Sequence, residues 1–405
     1  MILTIAFKEF YSNLISARFV IGFLICLFLI PFTMIVSIND YQNQVTGYEI
    51  AREKAEKVYD ARVYSALRPE IVSPPEPLSI FSRGISYNVG NSVKILLGEL
   101  PMLASAPGET YNNPFPGEIS DNPFMKSFFS IDFISIITII MSLIALIFTY
   151  DAFSHEREMG TLKLALSNPI SRSYLILGKA VGVILTLMPI IVFCYVLSSI
   201  IILISPYIAL SQGEWFRVAL LFIMSILYFM VFMFLGLFIS SSFKSSATSI
   251  VVCLIAWIVF VFIIPNLSSY MSQSLIQVDT EEKLRRSLSD LNSEFNEKYP
   301  WPGQMTFVGG NIGSDGYSEV TGSSPETMER TLAYYRNSEP ARIGYADKKW
   351  VFQKAYFDKL DRQRAFAEKI SLLSPSEIFQ LMSTALCRTD VQSYEHFFKY
   401  GPTVS

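Results

Sequence analysis

Residues 19–38 read FVIGFLICLFLIPFTMIVSI, twenty consecutive positions without a charged side chain. At ~1.5 Å per residue, such a run coiled as a helix crosses the ~30 Å hydrocarbon core of a bilayer. A secretory signal peptide has a shorter apolar stretch followed by a small-residue cleavage motif. Neither is found here, so the run reads as an uncleaved membrane helix. Four more spans follow at 128–150, 177–205, 217–240 and 246–265. The fold class expected is an all-α polytopic membrane protein with five readable transmembrane helices.

Composition agrees with that reading. The 405 residues are 51% hydrophobic and 17% charged, against roughly 25% charged in soluble domains. The charges are concentrated between the spans. The net charge of −3 and the lack of a basic stripe argue against a nucleic-acid partner. Cys26, Cys194 and Cys253 lie in apolar runs and Cys387 stands alone in a polar region, so they read as packed, unpaired thiols. Only two histidines occur, His155 and His396, and they are far apart, which argues against a metal site or a triad. No cofactor is expected.

Ahead of the first span, residues 1–18 place Leu3, Phe7, Phe10 and Leu14 near one helical face, as an amphipathic helix lying on the membrane surface would. Basic residues set the orientation. With the N-terminus inside, the short cytoplasmic pieces hold Lys8, Arg18, Arg157, Lys163, Arg172, Lys179 and Lys244, while the loop 206–216 holds no Lys or Arg. Segments 39–127 and 266–405 then fall outside the cell, and the chain is placed in the plasma (inner) membrane.

Both outer segments read as mainly helical. The first starts with a charged helix-like stretch near 49–67 and continues into PPEPLSIFSRG (74–84). The second holds polar helices near 279–299 and 325–373, joined by TFVGGNIGSDGYSEVTGSS (306–324). That loop lacks the glycine and lysine order of a phosphate-binding loop. LLSPSEIFQLMSTAL (372–386) has a serine cap and an early proline. It reads as a helix lying on the outer membrane face or packing on the outer domain. Asp132 stands a few residues from Lys126, near the start of its span, and is expected at the outer interface with its carboxylate in water. Gly178 and Gly182 form a GxxxG pair suited to close helix approach.

The stretch YDAFSHEREMGTLKLALSNPISRSYLILGK (150–179) lies between spans two and three. It is short, charged and punctuated by Gly and Pro, with leucines interleaved. These features suit a small amphipathic helix offered to a partner, or equally a charged loop that only stops transfer.

This stretch resembles the ABC-2 type permease family. The matching positions are Glu156, Arg157, Glu158, Gly160, Thr161, Leu162, Pro169, Ile170, Ser171, Arg172, Gly178 and Lys179. LGLFISSSFKSSATS (235–249) and the Trp257…Pro265-Asn266 ending of span five add to the likeness. PPEPLSIFSRG is similar to members with large outer loops, near the permease of the nitrous-oxide-reductase maturation system.

The resemblance implies a permease subunit of an exporter with no ATPase of its own. The loop 151–176 would hold the coupling helix that docks on an ATP-binding subunit, with Glu156, Arg157, Glu158, Gly160, Thr161, Leu162, Pro169 and Arg172 as the docking residues. The other partners implied are a second permease copy or a homologous permease, and membrane lipid. The family has six spans, and no apolar run of that length follows Pro265, so the chain is either truncated or lacks the sixth. Two other functions stay open: force transmission to an extracytoplasmic partner, and membrane-anchored binding or signalling without an ATPase.

Overall fold

The computed structural model of the protein describes residues 2–60, 70–84, 92–94, 132–161, 167, 171–300 and 325–393. The chain divides into two compact units. One comprises Met1–Val93, Thr110–Met271 and Phe366–Ser405; the other comprises Lys94–Glu109 and Ser272–Ala365. The expected glycine-rich loop at 306–324 lies outside the described residues.

The first unit starts with α1 (Ile2–Leu14), which turns at Ser16 into α2 (Ala17–Asp60). Rather than ending at Ile38, α2 runs on through the charged stretch as one helix of 44 residues. Next comes α3, assembled from Phe133–Ile136, a π-helical turn at Ile137–Met141, and Ser142–Thr149. A short helix α4 (Ser154–Glu158) precedes α5 (Arg172–Ile204), α6 (Gln212–Ser242) and α7. α7 runs through Ser246–Ile258, a second π-turn at Val259–Ile263, and Ile264–Leu275. Among the described residues, five helices are long and apolar enough to cross a membrane: Ala17–Glu53, Phe133–Glu158, Ser173–Ile204, Gln212–Ser242 and Ser246–Leu275. The protein is therefore an all-α polytopic membrane protein. Two three-residue strands, β1 (Glu70–Val72) and β2 (Ser92–Lys94), form the only sheet among the described residues.

Polarity is arranged for a lipid solvent. Val20, Ile21, Leu24, Phe28, Phe32 and Ile35 of α2 face outward, while Thr138, Ser142, Thr149, Thr186, Ser198 and Ser225 are buried. Each of those hydroxyls donates to a carbonyl one turn back, at 2.5–2.9 Å. None of these six hydroxyl hydrogens is thereby left facing hydrocarbon. The π-turns free carbonyls from the helical ladder, and neighbouring helices take them up. Tyr228 Oη donates to the Thr138 carbonyl at 2.7 Å; beside that turn, the Trp257 indole N–H donates to the Ser142 hydroxyl at 2.9 Å.

The GxxxG pair finds its neighbour within the same chain. A Cβ built on Gly178 would lie 2.8 Å from Ile5 Cγ2, and one on Gly182 would lie 2.6 Å from Glu9 Cβ. α1 therefore lies directly on the backbone of α5, with Ala6 fully buried between them. Its other side exposes Leu3, Phe7 and Tyr11.

Two expectations are corrected at the end of the bundle opposite α1. Asp132 is 7% exposed instead of lying in water. It caps α3, accepting from Ser135 N and Ser135 Oγ at 2.7 Å each, and it also accepts from the Arg83 amide at 3.0 Å. What covers it is the proline-rich segment, whose residues Leu78, Ser79, Ile80, Phe81, Ser82 and Arg83 are all buried. The phenyl ring of Phe81 stands edge-on to Phe133 at 5.2 Å, and the Arg83 guanidinium pairs with Asp40 at 2.6 Å. The late helix α10 (Pro375–Cys387) lies neither on the outer face nor on the outer domain; it packs into the bundle. Ser374 and Ser376 both donate to the Phe260 carbonyl of the second π-turn, and Phe379 stacks on Tyr228 at 4.6 Å. Ser376, Phe379, Ser383 and Cys387 turn inward and Leu381 and Met382 outward, so the helix meets the bundle with a mixed side of hydroxyls, a ring and a thiol.

The second unit contains α8 (Glu281–Lys298) and most of α9 (Pro325–Ser371). Tyr345 stands edge-on to Phe295 at 5.2 Å and donates to Glu294 at 2.7 Å. Lys283 and Lys359 both grip Asp279, at 2.6 and 2.7 Å, and their hydrogen bonds hold its carboxyl down at about 2. That value lies below the ~3.9 of an unfolded aspartate. The tie is thus fully present above about pH 4 and lost as pH falls through about 2. Tryptic cleavage after Lys283 and Lys359 should rise in Asp279→Asn at neutral pH by about two- to fivefold, as expected for an exposed ion pair. Equal cleavage in the two proteins would show that the tie contributes nothing.

Candidate functional site

The signature stretch folds as a tight turn followed by α4, at the end of the bundle that carries α1. The turn is pinned from two sides. Ser240 Oγ, near the end of α6, accepts from the Phe153 and Ser154 amides at 3.0 and 3.2 Å. Ser249 Oγ of α7 donates to the Tyr150 carbonyl at 2.6 Å. Arg18, at the start of α2, pairs with Asp151 at 2.8 Å and lies over the Tyr150 ring at 5.0 Å.

Three consecutive charges then reach three different helices. Glu156 Oε1 meets Lys179 Nζ of α5 at 2.8 Å. The Arg157 guanidinium donates to the Ser241 and Phe243 carbonyls at 2.8 and 3.2 Å. It thus caps the end of α6, where unpaired carbonyls and the negative dipole end favour a cation. Glu158 accepts from the Ser246 hydroxyl and amide at 2.9 and 3.3 Å, at the start of α7, where the opposite sign is favoured.

Lys179 is 2% exposed and has a second carboxylate, Glu9 of α1, at 2.9 Å. It also lies 5.4 Å from the Phe153 ring centroid. Past α4 the chain turns at Gly160, whose φ of +75° suits glycine. Thr161 Oγ1 donates back to the Glu156 carbonyl at 3.2 Å.

The structure thus brings Glu156, Arg157, Glu158, Gly160 and Thr161 together, and the three charged ends are all occupied within the chain. His155, Met159, Gly160 and Thr161 are exposed. Leu162 and Pro169 lie outside the described residues. Arg172 opens α5, which Ser171 caps by accepting from the Tyr174 amide at 3.3 Å. Sequence reasoning missed Glu9, Ser240 and Ser246 as partners. Glu9 is the sole acidic residue of the first 18, which marks it only once α1 is known to be packed. Among the described residues, no group of three or more His, Cys, Asp or Glu stands close enough to hold a metal ion.

Comparison with known proteins fits this arrangement. Over a stretch of 48 residues the chain is 50% identical to the probable ABC transporter permease protein NosY of Pseudomonas aeruginosa, covering 12% of this chain and 18% of that protein. It is equally 50% identical over 48 residues to the NosY of Stutzerimonas stutzeri, covering 12% of this chain and 17% of that protein. The chain spans less than a fifth of the length of these curated relatives. The family model described as ABC-2 family transporter protein matches residues 3–404, nearly the whole chain, and the protein therefore belongs to the ABC-2 family of transporter permeases.

Proposed function

We propose that this chain is the permease subunit of an ABC exporter in the plasma membrane, with its N-terminus in the cytoplasm and α4 docked on an ATP-binding partner. Two permease copies, or two homologous permeases, would assemble around one transport route. The observation that carries this reading is the fastening of α4. A partner that grips its exposed residues pushes through Arg157 on the end of α6 and through Glu158 on the start of α7. Rigid-body displacement transmitted through such discrete contacts is the ordinary way a switch moves packed helices.

The test is copurification with the ATP-binding subunit, followed by ATPase assay. A β-branched side chain at a left-handed position costs about 1–2 kcal/mol, so Gly160→Val should weaken the complex roughly five- to thirtyfold. The Cβ itself meets nothing within 4 Å, so the bundle should stay intact. Glu158→Lys, which places a cation on the amide end of α7, should also uncouple hydrolysis, whereas Glu281→Lys in the second unit should not. Unchanged assembly and coupled ATPase in both Gly160→Val and Glu158→Lys would reject the docking role.

Orientation has its own check. Cysteines at Glu53 and Asp290 should react with an impermeant reagent in intact cells, and one at Glu158 should not. Labelling at Glu158 in sealed cells would overturn the proposed topology.

A second reading, force transmission to an extracytoplasmic partner, is favoured by α2. It continues unbroken past its membrane span to Asp60, and an unbroken helix of that kind carries span motion outward as a lever. Substrate-independent ATPase coupling with no transport in any vesicle assay would select this alternative.

A further inference from the structure

We infer that Lys179 is the positioning residue through which displacement of α4 becomes displacement of α5 and α1 together. This rests on the docking role proposed for α4 and names the group that relays its motion.

The other fastenings of α4 are of a different kind. Arg157 and Glu158 are exposed and reach helix ends, so solvent screens those contacts. Lys179 is buried, and its ammonium is shared by two carboxylates from two elements: Glu156 of α4 at 2.8 Å and Glu9 of α1 at 2.9 Å. A charge pair shielded from water is little screened, and separating it leaves a buried charge unpaired, so the paired groups move together. Phe153, in the turn before α4, lies beside the same ammonium.

Backbone geometry makes the driven side rigid. Lys179 sits between Gly178 and Gly182, where α5 presents bare backbone and accepts Ile5, Ala6 and Glu9 of α1 directly against it. α1 and α5 therefore form one block, and Lys179 is the point at which α4 is ionically tied to it. A pull on Glu156 reaches α5 through the lysine and reaches α1 through both the lysine and the glycine contact.

The experiment uses the full chain in complex with the ATP-binding subunit. Spin labels are placed at Ser173 near the start of α5 and Ser241 near the end of α6, and their separation is measured without nucleotide and after trapping with ATP and vanadate. A nucleotide-dependent change is expected in the parent protein and in Lys179→Arg, and is expected to be lost in Lys179→Met. The ATP-binding subunit should stay bound, because Arg157 and Glu158 still hold α4.

Lys179→Met alone leaves two partly buried carboxylates facing each other without their cation and risks misfolding. The triple variant Lys179→Met, Glu9→Gln, Glu156→Gln removes the charges together; it should fold, bind the partner and still show no change. A full change in either methionine variant, or none in the parent complex, overturns the inference. Failure of the docking reading shows separately, as a partner that binds Gly160→Val and Glu158→Lys as well as the parent.

Discussion

Gly182→Val should detach α1 from α5 and destabilise the protein by about 1–3 kcal/mol or more. The first added carbon would sit 2.6 Å from Glu9 Cβ and 3.0 Å from the Ala6 carbonyl oxygen. Both belong to, or lie next to, the backbone of a packed helix, so no flexible side-chain end can swing away. Overpacking of this kind typically costs about 1–3 kcal/mol. Lifting α1 also withdraws Glu9 from Lys179, which keeps Glu156, so this adds less than the ~3–5 kcal/mol of leaving a buried charge without any partner. The two costs overlap, since both are relieved by the same displacement. Melting of the detergent-solubilised protein and proteolysis between residues 14 and 18 report the effect. Gly213→Val is the control, because a Cβ there meets only Ser211 Oγ, at 4.0 Å. Parent-like melting and protease resistance in Gly182→Val would show that close contact with α1 is not what Gly182 provides.

That contact shows how far the sequence could be read. The five spans were legible because a run of apolar residues is a local property, needing no knowledge of what lies alongside. The GxxxG pair was legible as a close approach, but its neighbour was not, because α1 is equally suited to lying free on the membrane. At the signature stretch, Glu156, Arg157 and Glu158 read as surface charges available to a partner. Their actual partners lie 23 to 88 residues further along the chain, at Lys179, at Ser241 and Phe243, and at Ser246. No local pattern encodes such pairings.

In α10 the pattern misled. The helix was expected on the outer face or on the outer domain, but Ser376, Phe379, Ser383 and Cys387 all turn into the bundle, and a buried side that mixes hydroxyls with an aromatic ring gives no clean apolar stripe to read. Asp132 was misplaced for a different reason. A carboxylate at the start of a span normally reaches water, and what buries it is a proline-rich segment, with a single turn of 3-10 helix, about fifty residues upstream.

Asp132→Ala should therefore cost about 3–5 kcal/mol and open the end of the bundle opposite α1. Three losses coincide. α3 loses its N-cap, worth typically ~1 kcal/mol. The buried Arg83 amide loses its acceptor, which costs about 1–3 kcal/mol when no water replaces it. The volume left beneath Phe81 and Phe133 loosens their edge-on packing. Arg83 keeps Asp40, and the Ile134 amide keeps the Phe81 carbonyl at 3.2 Å, so the segment is released only in part. Asp132→Asn should fall between, because its carboxamide offers one oxygen where the carboxylate used two, toward Ser135 and Arg83. Cys387 supplies the readout. Its thiol is fully buried beside Ser82 of the same segment. Maleimide labelling of Cys387 should rise in the order parent, Asp132→Asn, Asp132→Ala, with melting temperature falling in step. If Cys387 stays protected in both variants, apolar packing of Leu78, Ile80 and Phe81 holds the segment in place, and Asp132 does no more than start α3.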